Sequence, residues 1–171
     1  FVDIGCFHPT RHNNTFEMYR SGWTGVNIDL NPLTIDLFNF FRKKDINIHA
    51  AISDKEEIRK LYFVNELNTQ NTLEENHLLF LKNHHGVKEE EISLENINTK
   101  RLDTLLESHN INDIDFMNID VEGHELNIIN SIDFNKYKIK FICIEMINHN
   151  NQAKSVNKIL KDILKKNNYI L

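Results

Sequence analysis

Acidic side chains follow most of the short apolar runs in this sequence of 171 residues. Asp3, Asp29, Asp120 and Glu145 each stand at or near the end of a run rich in Ile, Val or Phe. If these runs are parallel strands, their carboxyl ends meet at the edge of the sheet where open α/β proteins bind ligands. Carboxylates that lose water there need partners, which a ligand with hydroxyl groups or a cation can provide. The pattern therefore predicts a ligand site at this edge.

Gly5 and Asp29 indicate the kind of ligand. Glycine after the first run lets the backbone turn sharply and approach a ligand closely. Asp29, 26 residues after Asp3, is placed to accept hydrogen bonds from the diol of a ribose. The turn reads GCFHPT, with Phe7 and Pro9 where a dinucleotide-binding turn favours glycine. We therefore predict a nucleoside-type cofactor that has no pyrophosphate.

Both acids also have interpretations that involve no ligand. Asp3 could pair with a nearby base or cap the turn that follows it. Asp29 precedes Pro32, and an acid at that place is stabilised by the dipole of the helix that Pro32 opens. The sequence leaves these alternatives open.

The elements that position these residues follow from the alternation of short apolar runs with longer segments of helical periodicity. We predict strands at residues 1–4, 25–30, 46–51, 115–120 and 140–145. Core-facing helices are predicted from three apolar stripes: Leu33, Leu37, Phe38 and Phe41 after Pro32, residues 102–106, and residues 156–164. The predicted fold is α/β, a Rossmann-like three-layer sandwich with a mostly parallel central sheet and helices on both faces.

Residues 65–91 interrupt this alternation, because they are polar and acidic with one apolar patch. A connection of this length is unusual in a compact domain. We interpret it as an insertion into a single domain that spans residues 1–171. It is either a lid over the site or a solvated excursion from the surface. Residues 60–64 and 92–99, on either side of it, are predicted to form a small added ribbon.

The composition predicts which partners the protein lacks and in which compartment it works. The formal net charge is −5 with no basic block, so the chain has no source of attraction to nucleic acid. No apolar run reaches the roughly 18 residues of a membrane span. Cys6 and Cys143 lie far apart in apolar runs, unlike the cysteines of a secreted disulfide framework, which favours reduced thiols in the cytoplasm. Because FVDIG resembles the end of a strand and NNYIL the start of one, we interpret the chain as truncated at both ends.

Six segments together carry a family resemblance: FVDIG, GWTGVNIDLNP, AAISD, TKRLDTLL, DFMNIDVEGHELNII and FICIEM. They resemble the FkbM family of S-adenosylmethionine-dependent methyltransferases, and IDVEGHE is the most specific of them. The resemblance extends from Phe1 to about Glu145. It implies the class I methyltransferase fold, with more strands than the five predicted above, and Tyr169 would begin a sixth. Cys6, Phe7 and His8 replace the residues that usually follow DIG in the family.

The resemblance implies a cofactor, S-adenosylmethionine, and roles for several residues. Asp3 and Gly5 would line its methionine side, Asp29 would take the ribose hydroxyls, and Asp120 would lie at the floor of the methyl-transfer site. The full set of predicted cofactor-binding residues is Asp3, Gly5, Phe7, Asp29, Leu30, Ala51, Ile52 and Asp120. The acceptor that it implies is a hydroxyl on a sugar, a glycan or a small metabolite.

Methyl transfer to a hydroxyl is an in-line displacement that benefits from a base. Asp120, His8 and His124 are candidates for that base, because each follows a strand end and histidine titrates near neutral pH. The sequence does not rank them. Glu122 is either a further catalytic residue or an acid stabilised at the start of a helix.

Other functions remain open at this point. One is a nicotinamide-dependent oxidoreductase or epimerase on a similar sheet, and another is a non-catalytic nucleoside-binding domain of the same fold. A metal site built from Asp120, Glu122, His124, Glu145 and His149 is disfavoured. Residues 120, 122 and 124 share a side only on an extended chain, and a helix is expected to begin at residue 123. We therefore predict no metal.

Overall fold

The computed structural model describes residues 1–65, 71–84, 86–146 and 151–170. Part of the predicted insertion, residues 66–70 and 85, lies outside the described residues, as does His149. The elements in chain order are β1 (Val2–Ile4), α1 (Phe16–Arg20), β2 (Val26–Asp29), α2 (Pro32–Phe41), β3 (Ile46–His49), β4 (Ala51–Ile52), β5 (Ile58–Phe63), α3 (Glu75–His84), β6 (Ser93–Lys100), α4 (Leu102–Ser108), β7 (Phe116–Ile119), α5 (Glu125–Asn130), β8 (Phe141–Ile144) and α6 (Asn151–Lys166).

β1 lies at the centre of a five-stranded parallel sheet with the order β3-β2-β1-β7-β8. The chain adds β2 and β3 on one side of β1, and later β7 and β8 on the other. Because the direction of addition reverses at β1, the connections after β1 and β7 diverge and leave a crevice between them. The predicted α/β fold with a mostly parallel sheet is confirmed, and each of the five predicted strands contributes to it.

The third predicted strand, residues 46–51, is two strands in two different sheets. β3 ends at His49, and Ala50 donates its amide to the carbonyl oxygen of Asp29 at 2.9 Å. β4 then pairs with β6 in a three-stranded sheet of order β4-β6-β5. β5 is antiparallel to residues 93–98 of β6, which confirms the small ribbon predicted on either side of the insertion.

One face of the five-stranded sheet is apolar and is covered by α4, α5 and α6. The buried residues of this core include Ile4, Ile28, Met117 and Ile119 from the strands, and Leu102, Leu106, Ile128, Leu160 and Leu164 from the helices. Each such side chain contributes roughly 1.5–3 kcal/mol when it is fully buried. The stripe at residues 102–106 is confirmed, and so is most of the stripe at 156–164, although Ile159 is 45% exposed.

The opposite face carries a row of polar residues, of which Asn27, Asp3 and Asn118 are buried. Asn47, Asn27, Asp3 and Asn118 are register partners across β3, β2, β1 and β7. Asn27 donates to Oδ1 of Asn47 at 2.8 Å, and Asn118 donates to Oδ1 of Asp3 at 2.9 Å. Desolvated polar groups are tolerated inside a protein when they are hydrogen-bonded in this way.

Arg42, the residue after α2, compensates the charge on this polar face. Its side chain is almost fully buried and donates to Oγ1 of Thr15 at 2.8 Å and to Oδ1 of Asn13 at 2.5 Å. Thr15 donates in turn to Oδ2 of Asp3 at 2.7 Å. The ring of Phe38 lies 4.9 Å from the guanidinium carbon. Through these contacts the connection between β1 and α1 is bound to the sheet.

α2 begins at Pro32, as predicted, but its buried face coincides only in part with the predicted stripe, of which Phe38 is buried and Leu37 is half-buried. Leu33 and Phe41 are 39% and 51% exposed. The buried residues of the helix are Thr34, Ile35 and Phe38. The helix is turned so that Ile35 and Phe38 meet Cys6, which follows the Gly5 turn. A tertiary contact therefore sets the orientation of this helix.

The sixth strand predicted at Tyr169 is wrong, because residues 169–170 are not in a strand. The ring of Tyr169 packs against that of Phe134, and its hydroxyl donates to the carbonyl oxygen of Ile139 at 2.8 Å. The residue thus belongs to the core beneath α6.

Both cysteines are free thiols, as predicted: Cys6 is buried and Cys143 is exposed in β8. Within the described ranges, no helix combines the length and the apolar composition that crossing a bilayer requires.

Candidate active site

A cleft opens at the carboxyl ends of β1, β2 and β7, beside β4 and the residues that follow β5. This is the edge at which open α/β sheets bind ligands. The predicted site residues that line it are Gly5, Phe7, Asp29, Leu30, Ala51, Ile52, Asp120, Glu122 and His124. The fold therefore gathers four separate parts of the sequence at the point where the strand order reverses.

Gly5 forms the turn by which the chain leaves β1. Its φ is +76°, in the left-handed region, and its amide donates to the carbonyl oxygen of Ile28 at 2.9 Å. A side-chain carbon at this position would lie 1.8 Å from the carbonyl oxygen of Asp120. Glycine is thus required by the contact between the ends of β1 and β7, independently of any ligand.

The amides that follow β1 are used within the protein. Those of Gly5 and Cys6 donate to Ile28, that of Phe7 donates to Oδ2 of Asp29 at 2.9 Å, and that of His8 donates to Cys6. A dinucleotide-binding turn presents free amides to a pyrophosphate instead. Phe7 holds this arrangement with a φ of +52°, which is uncommon for a residue with a bulky side chain.

Asp29 lies at the end of β2 in the wall of the cleft. Burial raises its pKa to about 6, although the amides of Asn31 and Phe7 stabilise the charged form, each at 2.9 Å. Each carboxylate oxygen accepts one of these bonds and keeps a further lone pair. The group can therefore accept two more hydrogen bonds from a ligand.

Asp120 follows β7 on another side of the cleft. Burial raises its pKa to about 6, and the nearby negative charges of Glu122 and Glu125 add to the effect. Its amide donates to the carbonyl oxygen of Ile4, whereas no described residue donates a hydrogen bond to its carboxylate. The carboxylate is thus available to a ligand.

The turn after Asp120 is left-handed at Glu122, with φ +55°, and at Gly123, with φ +101°. α5 therefore begins at Glu125, and the expectation that a helix begins at residue 123 is wrong. The acid of the helix start is Glu125, whose Oε1 accepts from the amides of Val121 and Gly123 at 3.2 and 3.1 Å. Backbone strain of this kind is concentrated at functional sites, and Glu122 lines the cleft.

The predicted insertion forms a wall of the cleft. Thr72 donates its hydroxyl to the carbonyl oxygen of Glu122 at 2.9 Å, and Nε2 of His77 lies 3.2 Å from the carboxylate of Glu122. Asn71 and Leu73 line the cleft directly. These described residues of the insertion therefore contact the cleft and the turn at Glu122.

His124 lines the cleft, but both of its ring nitrogens are bonded within the protein. Nδ1 lies 2.6 Å from Oε1 of Glu74, and Nε2 lies 3.0 Å from the hydroxyl oxygen of Ser53. The residue is 2% exposed. A base must have a free lone pair directed at the substrate, so this geometry favours Asp120 over His124.

Asp3 and His8 do not line the cleft. Asp3 is fully buried in the polar network, where Thr15, Asn118 and Asn13 donate to its carboxylate, and burial raises its pKa. Nδ1 of His8 accepts from backbone amides of the loop that follows it. Asp3 therefore lies in the buried polar network beneath the cleft, where its partners are neutral side chains.

A model of the methyltransferase FkbM domain matches residues 3–171 of the chain. This match includes every residue that lines the cleft. The chain belongs to the FkbM methyltransferase family. The resemblance to that family is thereby confirmed. No curated protein and no solved structure matched the chain.

Some residues of the site of this FkbM domain were not predicted from sequence. They are Asn31 and Thr34 at the start of α2, and Asn71 and Leu73 in the insertion. Asn31 closely follows Asp29, so its proximity was a usable signal. The sequence contains no such signal for Asn71 and Leu73, because nothing in residues 65–91 indicates which residues of this segment contact the cleft.

The acids of this FkbM domain do not form a metal centre in the part of the chain that the structure describes. Groups of three or more His, Cys, Asp or Glu side chains with suitable geometry are absent from the described residues. His149, one residue of the disfavoured metal site, lies outside them.

Proposed function

We propose that this FkbM domain binds S-adenosylmethionine in the cleft and transfers its methyl group to a hydroxyl oxygen of an acceptor. The observation that carries the proposal is the pair of carboxylates with raised pKa, Asp29 and Asp120, in one cleft at the reversal of strand order. Asp29 suits a ribose diol. The carboxylate of Asp120 is suited to accept the proton that the acceptor hydroxyl loses. Membership of a methyltransferase family supports the reaction type.

The surroundings of Asp29 fit an adenosine. Leu30, Ala51 and Ile52 give the cleft an apolar wall beside the carboxylate, against which a flat base can pack. Ala51 and Ile52 are 2% and 4% exposed, so their positions are fixed by packing. Among the described residues, no Lys or Arg lines the cleft, which suits a nucleoside without phosphate groups.

The same observations count against a nicotinamide dinucleotide. A pyrophosphate needs backbone amides or cationic side chains. The amides of residues 5–8 are bonded within the protein, and α1 begins only at Phe16. An oxidoreductase or epimerase is therefore the weaker candidate.

The chemistry of the proposed reaction falls mainly to Asp120. When bound, S-adenosylmethionine supplies a methyl group on a positively charged sulfur, which an oxygen nucleophile can displace in line. Asp120 is ionised at neutral pH because its pKa is about 6. It is then able to accept the proton of the acceptor hydroxyl as the new bond forms. Glu122, on the same turn, forms the adjacent part of the cleft wall.

A non-catalytic nucleoside-binding domain is the second candidate. Nucleoside binding alone gives no reason for the carboxylate of Asp120 to lie in the cleft without a donor from the described residues. Burying such a group costs free energy, and a catalytic role accounts for that cost. Adenosylhomocysteine binding without methyl transfer to any hydroxylated acceptor would favour the second candidate.

We expect Asp29→Ala to weaken adenosylhomocysteine binding by about 1.5–3 kcal/mol, the contribution of hydrogen bonds to a charged group. Titration calorimetry measures the effect directly. Asp36→Ala, which changes an exposed carboxylate on α2, is the matched control and should bind with unchanged affinity. Unchanged affinity in Asp29→Ala, with NAD stabilising the protein in place of adenosylhomocysteine, would refute the assignment.

Adenosylhomocysteine affinity should also depend on pH through Asp29. The ligand diol donates to the ionised carboxylate, whose pKa in the free protein is about 6. Affinity should therefore be constant well above pH 6 and fall as the pH drops below it, by up to about tenfold per unit. Asp29→Asn should give a flatter profile in the same titrations. An identical profile in the variant would place the titrating group elsewhere.

We also propose that the protein works in a reducing, cytoplasmic setting. The two free cysteines support this.

A further inference from the structure

Glu145 follows β8 and is the neighbour of Asp120 across the sheet. Ile119 and Ile144 are register partners in the parallel pair of β7 and β8, and the amide of Glu145 donates to the carbonyl oxygen of Ile119 at 3.0 Å. Asp120 and Glu145 are therefore the next pair along the two strands. Neighbouring strands lie about 4.8 Å apart, and side chains at one register position point to the same side of a sheet. The two carboxyl side chains thus start side by side, at the end of the sheet where Asp120 lines the cleft.

One carboxyl oxygen of Glu145 is buried and has no partner among the described residues. This atom is Oε2. Buried polar atoms of folded proteins are nearly always hydrogen-bonded, so an exception calls for a physical reason. The position of Glu145 beside a cleft residue supplies one, because a molecule bound next to Asp120 lies within reach of the same strand ends. The unpaired oxygen therefore indicates a contact that a ligand completes.

The carboxyl group of Glu145 is protonated at neutral pH. Burial raises its pKa to about 8, and the negative charges of Glu122, Asp120 and Glu125 add to the effect. Glu122 and Asp120 come from the turn after β7, and Glu125 comes from the start of α5. Two neighbouring carboxyl groups do not ionise together easily. Asp120, with a pKa of about 6, carries the negative charge of the pair, and Glu145 keeps the proton.

A protonated carboxyl group can donate a hydrogen bond, which an ionised one cannot. If Glu145 donated to the reacting oxygen of the acceptor, it would occupy a lone pair that has to attack the methyl carbon. The donor is instead suited to a second oxygen, on the carbon next to the one that bears the reacting hydroxyl. Two oxygens on adjacent carbons can contact two carboxyl groups on adjacent strands at the same time.

We propose that Glu145 binds the acceptor, by donating a hydrogen bond to an uncharged second oxygen next to the hydroxyl that reacts. The proposal rests on the proposed function of the cleft. In the reaction the acceptor oxygen forms a bond to the methyl carbon, and the carbon–sulfur bond breaks with its electron pair going to sulfur. The hydroxyl proton goes to the carboxylate of Asp120, whereas Glu145 keeps its own proton throughout.

The protonation state of Glu145 is measured without any acceptor. In protein labelled with ¹³C at the carboxyl carbons of glutamate, the NMR signal that is missing from Glu145→Gln belongs to this residue. We expect that signal to titrate near pH 8, whereas exposed glutamates titrate near pH 4.3, roughly their ordinary pKa. A signal of Glu145 that titrates below pH 6 would overturn the proposal.

The hydrogen bond to the acceptor is tested with two matched pairs of compounds on protein loaded with adenosylhomocysteine. The pairs are trans-cyclohexane-1,2-diol with cyclohexanol, and 2-methoxyphenol with phenol, of which only the first members have a second oxygen. At pH 7 we expect the second oxygen to lower the Kd by about fivefold or more in at least one pair, the size of one hydrogen bond to the ligand. Saturation-transfer NMR measures the Kd values.

Variants of Glu145 distinguish donation by this residue from a merely structural role. Glu145→Ala should remove the advantage of the second oxygen at every pH. Wild type should lose it at pH 9, where Glu145 is ionised, whereas Glu145→Gln should keep it there because an amide donates at any pH. Glu95→Gln, which changes an exposed carboxyl group on β6, is the matched control and should behave as wild type. Thermal unfolding checks that each variant is folded.

Two binding results would contradict the proposal. One is that the Kd values within both pairs are equal in wild type at pH 7, or that none of the four compounds binds. The other is that Glu145→Ala keeps the advantage of the second oxygen. Adenosylhomocysteine affinity is measured first in the same samples. Its absence would count against the proposed function, while the NMR titration still tests Glu145 itself.

Discussion

An Asp120→Asn variant is expected to transfer methyl groups about 10²- to 10⁴-fold more slowly than wild type, the usual contribution of a general base. Asn keeps the shape of the side chain but cannot accept the hydroxyl proton. Turnover is measured with methyl-labelled S-adenosylmethionine and the best acceptor that wild type selects from a panel of hydroxylated compounds. Affinity for adenosylhomocysteine should change by less than about threefold, because an interaction made only in the transition state affects kcat and not ground-state binding.

The pH dependence of the same reaction provides a second measurement on Asp120. Wild-type kcat should rise as the pH increases through about 6, where Asp120 becomes ionised, and level off above it. Asp113→Asn, an exposed acid before β7, is the control and should keep both rate and profile. If Asp120→Asn lost affinity for adenosylhomocysteine and kept its kcat, Asp120 would be a cofactor ligand and the base would have to be another group.

Gly5→Ala should lower the free energy of unfolding by roughly 2–4 kcal/mol. About 1 kcal/mol comes from the left-handed backbone of a residue with a side chain, and about 1–3 kcal/mol from forcing an extra carbon into a packed site. The added carbon would lie 1.8 Å from the carbonyl oxygen of Asp120, so the ends of β1 and β7 must move apart. Urea titration followed by circular dichroism measures the loss, and adenosylhomocysteine binding should weaken with it.

Gly22→Ala separates the two contributions in the Gly5 prediction. Gly22 has a φ of +93°, but a side-chain carbon there would meet no described atom within 4 Å. We expect a loss of only about 1 kcal/mol from the backbone conformation. Equal losses in the two variants would show that the contact with Asp120 does not determine the requirement for glycine at position 5.

Local signals were sufficient to predict much of the fold and the cleft. Each apolar run of the main sheet is bounded by residues that end a strand, and the acids at Asp29 and Asp120 lie where parallel strands expose their carboxyl ends. The start of α2 at Pro32 follows from the same kind of local chemistry. These features depend on neighbours along the chain, so the sequence displays them directly.

The break in the third predicted strand could not be read locally. Residues 46–51 look continuous, yet Ala51 and Ile52 pair with Thr99 and Lys100 in the other sheet. Whether a residue stays in one sheet or passes to the next is decided by a partner far away in sequence. The orientation of α2 was missed for the same reason, since Cys6 and the sheet set it.

The polar face of the sheet is visible in the sequence as an alternation, although the strands were recognised only by their apolar residues. The central strands read Val-Asp-Ile, Val-Asn-Ile, Ile-Asn-Ile and Met-Asn-Ile, with a polar residue at every second position. Such alternation indicates a strand with two different faces. The sequence does not show that Arg42, the residue after α2, lies on this face and donates to Thr15, which donates in turn to Asp3. Asp3 is therefore held in the buried network beneath the cleft.

The role of His124 also depended on a distant contact. From sequence it was a candidate base, but its partner Glu74 is separated from it by 50 residues. Residues 65–91 contain several acids, and only the folded chain determines which of them reaches the ring. The contact occupies a ring nitrogen of His124, whereas the carboxylate of Asp120 accepts no hydrogen bond from a described residue, so Asp120 is the better candidate for the base.

The contacts from the insertion to residues 122–124 have a consequence for chimaeric proteins. Thr72 and His77 bind Glu122, and Glu74 binds His124. An insertion transplanted from another FkbM domain would leave these partners with side chains that were not selected to meet them. A functional exchange therefore has to move the two segments together, as one module that is discontinuous in sequence.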